Sequence, residues 1–545
     1  MALRTGGQAI VDSLRSQGVT HAFGLISVHM MDVYDALYEA RDSLQLIGGR
    51  HESAVAYMAD GYARASSKPG VCFTSTGPGA ANSVGAVGEA YHCSSPVLNI
   101  TSNSERELIN SDRGGLHEPK DQLGMFGSVT QWSALVPCVE AIPDHVRQAF
   151  DLFLNRRPRP VELEIPTDVL SHKADVQPAP AVQRTRQQGD ARLVEQAARM
   201  LAAARKPVIW AGGGIPSSEA TPDLLRLAEL LGAPVTTSYG GKGGFPDDHP
   251  LALGCSIGGR VYGRNPVFDF IESCDVALVV GARLPYRATI GVGLKLPPNL
   301  IHIDIDGGVF GKNYQPAVAI TGDAGAVLGK LADSLEGKNV ARSESFAMEV
   351  ADLHRRVKQV LRESGPNQQE TMEAIRGVIS RDAIIVADPT APGYWATRGM
   401  PCYEPRTYLS PHGWGGIGFA FPAALGAKVA RPERQVIVIS GDGGFQFNIQ
   451  ELGTAAQYGI KVVVLVFNNG AWGVLRDRQR DYFGGRYYAT ELKNPDFVRL
   501  ADSYGLPATH ARNCRDMTAA LQDALDKDEF RLIEVDISRG FAEFV

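Results

Sequence analysis

The sequence predicts an α/β protein built from three doubly wound domains with mostly parallel sheets. Three observations predict it. Strand-like and helix-like patterns alternate along the whole chain. The strand-like runs are almost wholly apolar, as strands covered by helices on both faces must be. Two polar segments cut the chain into three stretches, and 545 residues are too many for one hydrophobic core.

The first domain is expected over residues 1–172. It opens on an amphipathic helical pattern, runs through Gly70–Thr74 and residues 97–100, and closes with a strand near residues 160–165. A polar, Pro-rich stretch at residues 171–188 (SHKADVQPAPAVQRTRQQ) then reads as a linker. The second domain is expected over residues 189–335, with a helix near residues 190–204 and strands at Pro207–Ala211, residues 275–280 and residues 300–305. A charged connector at residues 336–345 leads to a third domain, residues 346–545, with strands at Ile384–Ala387, residues 436–439 and residues 462–467.

Composition excludes several classes. Apolar residues make up 44% and charged residues 21%, as in an ordinary soluble protein. The net charge of −6 gives no electrostatic footprint for nucleic acid or an anionic membrane. No apolar run reaches the roughly 18 residues of a membrane span, and the N-terminus lacks the apolar core of a signal peptide. Seven cysteines without a CxxC pair suit free thiols in a reducing compartment, so a cytoplasmic location is expected.

The most informative stretch is residues 440–473. An apolar strand ends in Gly441-Asp442-Gly443-Gly444, and a helical pattern over residues 445–458 follows. A second apolar strand, residues 461–467, ends in Asn468-Asn469-Gly470. Both clusters therefore fall at the C-terminal ends of parallel strands, where open α/β sheets bind ligands. The glycines admit a close-lying phosphate, and amides at a helix start face its oxygens. Asp442, Asn469 and the backbone carbonyl of Ala471 offer oxygen ligands that suit Mg²⁺. The plain alternative is a pair of ordinary strand-end turns.

This stretch resembles the thiamine diphosphate motif, in which GDG is followed after about two dozen residues by NN; here Asp442 and Asn469 stand 27 positions apart. The resemblance implies a second half-site near the N-terminus. Arg50-His51-Glu52 before a helical pattern, with residues 76–82 (TGPGAAN) after it, match that half-site. In such enzymes a glutamate hydrogen-bonds N1′ of the aminopyrimidine, and the 4′-nitrogen then removes the C2 proton of the thiazolium. Glu52 matches that glutamate; alone, it would read as a first-turn acid at a helix start. A third segment, Ser410-Pro411-His412-Gly413-Trp414-Gly415-Gly416-Ile417-Gly418, matches the region where a bulky apolar residue bends the cofactor. Ile417 would be that wedge, with backbone groups of Gly415 and Ile417 holding the pyrimidine; its alternative is a core isoleucine in a Gly-rich loop.

The resemblance spans nearly the whole chain, including residues 236–253 and His302-Ile303-Asp304-Ile305-Asp306. It is to the acetolactate synthase and 2-oxo acid decarboxylase superfamily. It implies that Glu52 and the diphosphate site of one active centre come from different chains, so a homodimer is the minimum unit and a homotetramer is expected. Where acetolactate synthases usually carry glutamine, small residues and a selector tryptophan, this chain has His117, His29 and Arg478. His29 matches benzaldehyde lyase-like sequences, and both histidines match 5-guanidino-2-oxopentanoate decarboxylase-like ones. A histidine shuttles protons near neutral pH, so Glu52, His29 and His117 are the expected catalytic residues. Trp472 and Arg478 are the expected substrate contacts; Arg478 suits a carboxylate-bearing or polar substrate, or is simply solvated.

The expected reaction is therefore decarboxylation of a 2-oxo acid to an aldehyde and CO₂, without oxidation. The alternative is a carboligase or C–C lyase of the acetolactate synthase or benzaldehyde lyase type, which the residues 448–452 and 483–487 keep open. A cofactor-binding protein without catalysis is the third reading, and the presence of Glu52 argues against it. Acetolactate synthases hold FAD in the middle domain. Here residues 281–287 (GARLPYR) depart from their pattern, which argues against FAD.

Overall fold

The computed structural model describes residues 3–255, 265–338, 340 and 342–544. Its framework is three six-stranded sheets in which every strand pairing is parallel. The three-unit α/β architecture expected from the sequence is thus the one observed. The first sheet orders its strands Gln45–Gly48, His21–Gly24, Gly70–Thr74, Val97–Asn103, Val161–Pro166, Trp132–Leu135. The third orders them Tyr408–Leu409, Ile384–Ala387, Val436–Gly441, Val463–Asn468, Arg531–Asp536, Ala508–Ala511. Numbered by chain position within each sheet, both follow the order 2-1-3-4-6-5. The middle sheet follows 3-2-1-4-5-6, with Pro207–Ala211 and Val276–Val280 at its centre. In the first and third sheets the strand order reverses between the first and third strands, and in the middle sheet between the first and fourth; such a reversal opens a crevice at the C-terminal strand ends.

The first and third units share one core. Helix Glu52–Ser66 crosses helix Ala420–Ala430, and Ala54, Met58, Phe419 and Leu425 lie in the same buried cluster. The crossing depends on two glycines. A Cβ at Gly61 would lie 1.9 Å from the Ala423 carbonyl oxygen, and one at Gly426 1.9 Å from that of Met58. Neither backbone can yield without separating the helices, so Gly61→Ala is expected to cost about 3 kcal/mol or more, read as a drop in the denaturant midpoint. A midpoint equal to wild type would show that the helices separate freely.

Two elements differ in detail from the sequence pattern. The helix expected over residues 445–458 is broken into Asp442–Phe445, a 3₁₀ turn at Ile449–Glu451 and Leu452–Tyr458. Asn448 breaks it: at φ −132° its side-chain amide donates to the Gly418 carbonyl (2.8 Å), so tertiary bonding wins over helix continuation. Helix Glu344–Ser364 begins inside the expected connector and buries Phe346, Val350 and Leu353 with Val267 and Ile271 beside the middle sheet. Among the described residues, no helix is long and apolar enough to cross a membrane.

Candidate active site

The crevice of the third sheet opens between strands Ile384–Ala387 and Val436–Gly441, at their C-terminal ends. It is lined by Gly415, Ile417, Gly441, Asp442, Gly443, Gly444, Asn469, Ala471 and Trp472, so it gathers every cofactor-binding residue expected from the sequence. The strand Val436–Gly441 runs straight into one helical turn, Asp442–Phe445. The cradle is closed to side chains. A Cβ at Gly443 would lie 2.6 Å from the Trp472 ring, and one at Gly441 2.8 Å from the Thr390 hydroxyl.

The donor set suits a hard cation. Asp442 is buried, and burial raises its pKa while hydrogen bonds from Asn494 and nearby amides pull it down. Its Oδ2 accepts from Asn494 Nδ2 at 2.6 Å, and the same Nδ2 donates to Asn468 Oδ1 at 2.8 Å. Asn469 Oδ1 accepts the Ala471 N–H at 3.2 Å, and the Ala471 carbonyl accepts from Gly473. A carboxylate, an amide oxygen and a peptide carbonyl, all fixed in place, fit Mg²⁺ and an adjoining diphosphate.

The expected catalytic residues Glu52, His29 and His117 form a second group, at the C-terminal ends of the first sheet. Glu52 opens helix Glu52–Ser66, and its Oε2 accepts from Asn82 at 3.0 Å. A Cβ at Gly79 would stand 2.9 Å from Ser75 Cβ and 3.3 Å from Glu52 Oε1, so a glycine there leaves room beside the carboxylate. His29 and His117 face each other with ring centroids 5.1 Å apart. His117 sits at φ 59°, a left-handed conformation rare outside glycine and common at functional sites. Gln122 supports that loop: its Oε1 accepts from Thr76 Oγ1 (3.1 Å) and the Gly77 N–H (2.9 Å), while Thr76 Oγ1 also reaches the His117 carbonyl (3.5 Å).

Burial, and then the charge of His117, lowers the pKa of His29. His117→Asn removes a positive neighbour, so the His29 midpoint should rise toward the ordinary histidine value in an imidazole NMR titration. An unmoved midpoint would mean that the rings do not interact.

Among the described hydrogen bonds, none joins Glu52 to the Asp442 crevice. The surroundings of Glu52 touch the third unit elsewhere, through Ser53 to Asn448 (3.4 Å) and the Gly48 N–H to the Tyr458 hydroxyl (2.9 Å). Helix Gly473–Phe483 contributes Arg476, Asp477 and Arg480 to the crevice. Arg478 is exposed on that helix, and its charge pulls down the phenol of the crevice residue Tyr394, which burial raises. Sequence reasoning missed Asp388, Asn494, Glu89 and Gln122. Asp388 had a signal, being the first polar residue after an apolar strand; Asn494 had none.

A glycine-cradled, acid-bearing crevice on the third sheet, and a second acid-bearing group at the C-terminal strand ends of a first sheet of the same topology, are an arrangement that suits a phosphate-bearing cofactor. The chain belongs to the thiamine pyrophosphate enzyme family. Residues 4–125 match the N-terminal TPP binding domain, 194–331 the central domain and 388–535 the C-terminal TPP binding domain of that family. It is 36% identical to "Probable acetolactate synthase large subunit" of Methanocaldococcus jannaschii, over 97% of this chain and 91% of that one. It is 35% identical to "Probable 2-ketoarginine decarboxylase" of Pseudomonas aeruginosa, over 97% and 94%. Against "Acetolactate synthase isozyme 2 large subunit" of Escherichia coli the identity is 33%, over 98% and 95%.

Proposed function

We propose that the chain decarboxylates a 2-oxo acid to an aldehyde and CO₂, without oxidation, using thiamine diphosphate and Mg²⁺. The observation that carries this reading is the His29–His117 pair beside the Glu52 half-site, where a released aldehyde needs protons delivered. The similarity to a protein named as a 2-ketoarginine decarboxylase supports it.

When bound, thiamine diphosphate supplies an electron sink for the carbon that loses CO₂. The chain supplies the rest. Asp442, Asn469 and the Ala471 carbonyl would hold Mg²⁺, and amides of Gly441, Gly443 and Gly444 would face the diphosphate. Gly415 and Ile417 would hold the rings of the cofactor. Glu52 would hydrogen-bond the aminopyrimidine, and His29 and His117 would exchange protons with substrate and product. Trp472 and Arg478 contact the substrate from the helix at the crevice mouth. The reading uses no flavin, so pure protein is expected to be colourless.

The two half-sites meet if a second copy of the chain docks. Both rims expose large apolar side chains: Ile26, Val28 and Leu116 around one, Trp414, Ile417 and Phe447 around the other. A two-fold dimer brings unlike rims together twice. The active unit is then a homodimer, with a homotetramer as the full assembly, in the cytoplasm. Residues 1–172, 189–335 and 346–545 are its three domains.

The second reading, a carboligase or C–C lyase, is favoured by the relatives named as acetolactate synthases. One assay separates the two. Pyruvate, benzoylformate, 2-oxoarginine and an oxaloacetate-like acid are each assayed for CO₂, aldehyde and acyloin together. Aldehyde with CO₂ from any of them supports the proposal; aldehyde-free conversion of pyruvate to acetolactate overturns it.

A further inference from the structure

Two buried carboxylates, from two different units, grip the short loop that carries Ile417. Glu89, on helix Pro78–Cys93 and fully buried, accepts the Gly416 N–H at 3.0 Å. Asp388, 3% exposed at the end of strand Ile384–Ala387, accepts the Ala420 N–H at 2.9 Å. The Gly418 and Phe419 amides also bond to Asp388, and the Ser440 hydroxyl donates to it at 2.5 Å. Ile417 thus lies between an anchor on its N-terminal side and one on its C-terminal side.

The loop cannot relax around these anchors. Gly415 and Gly418 both sit at φ 80°, and a Cβ at Gly418 would strike Phe447 Cβ at 2.4 Å. Ile417 itself is 41% exposed, an apolar side chain held out into the crevice by a fixed backbone. Taking a carboxylate out of water is costly unless its acceptors are used. Here two of them spend charge-assisted bonds on a single turn. Asp388 also binds the strand that delivers the diphosphate cradle: Ser440 precedes Gly441, and a Cβ at Gly444 would lie 3.1 Å from Asp388 Oδ2. One carboxylate therefore sets the Ile417 loop relative to the Asp442 turn, and the other sets it relative to the first unit.

We infer that Asp388 and Glu89 are positioning residues that hold Ile417 against the cofactor's ring pair, an inference that rests on the thiamine diphosphate reading above. They act through Ile417 and touch no reacting atom. Misplacing a reacting group by about 1 Å can cost about a hundredfold in rate, so the effect should be visible at the cofactor itself.

The test uses full-length protein saturated with thiamine diphosphate and Mg²⁺ in deuterated buffer. It measures exchange of the cofactor's C2 proton by acid quench and NMR, alongside cofactor affinity from tryptophan fluorescence and a thermal melt. Asp388→Asn and Glu89→Gln should each slow exchange about tenfold or more at saturating cofactor. Ile417→Ala should do the same, and combining it with either variant should add no further loss. Wild-type exchange in either folded variant, or losses that multiply with Ile417→Ala, overturns the inference. Should Asp388→Asn not fold, Ser440→Ala loosens the same carboxylate and should slow exchange by a smaller factor; no slowing overturns the inference equally. Wild-type protein that binds no thiamine diphosphate would instead overturn the functional reading.

Discussion

Glu52→Gln is expected to lower turnover by about 100- to 10,000-fold while thiamine diphosphate stays bound, because a group that holds a proton through the reaction contributes on that scale. The substitution is nearly isosteric. Glutamine at the first position of helix Glu52–Ser66 keeps the size of the side chain, and Asn82 can still donate to its oxygen. What it loses is the charge that holds a proton on a ring nitrogen. Helix stability is expected to change little, since a first-turn acid contributes only about 0.3–1 kcal/mol. Turnover measured under saturating cofactor separates the two roles. An unchanged rate would make Glu52 a helix-dipole residue, and absence of turnover in the wild type with every 2-oxo acid would revive the reading of a binding protein without catalysis.

The second large effect is at Asp442. Asp442→Ala should weaken thiamine diphosphate binding by about a thousandfold, equivalent to about 4 kcal/mol. The carboxylate is buried and its orientation is set by Asn494, so no neighbouring side chain takes its place. Asn494 would be left with an unmet donor, although Asn468 Oδ1 still accepts from it. Binding also stabilises the fold: ligand at about 100 times Kd adds about 2.7 kcal/mol. The wild type should therefore melt higher when Mg²⁺ and cofactor are added together, and Asp442→Ala should show no such rise. A full thermal shift in the variant would remove Asp442 from the metal site.

Much of this was legible in the sequence because strand ends are legible. Apolar runs such as VIVIS and VVLVF locate parallel strands, and the polar residues that follow them, Asp442 and Asn469, then fall at the crevice. Several glycines carried the same signal: a Cβ at Gly418, Gly441 or Gly443 would collide with a neighbour. What the sequence hid was long-range bonding. Asn448 breaks a helix because Gly418, thirty residues away, takes its amide. Asn494 orients Asp442 from a segment with no periodic pattern, and Glu89 grips Gly416 across two units. Periodicity reports local burial, and none of these bonds is local. The 2-1-3-4-6-5 strand order common to the first and third sheets was equally silent, because the two units share topology and not a short sequence repeat.

The central claim is that each active centre joins the Glu52 half-site of one chain to the Asp442 half-site of another. Co-expression of Glu52→Gln and Asp442→Ala chains tests it most directly, since each variant alone is expected to be nearly inactive. In a mixed dimer one centre carries both defects and the other carries neither. Random pairing makes half the dimers mixed, so about a quarter of wild-type turnover should return. Co-expressed protein as inactive as its two parents would contradict the account, because it would place Glu52 and Asp442 in the same chain's centre or outside any common one.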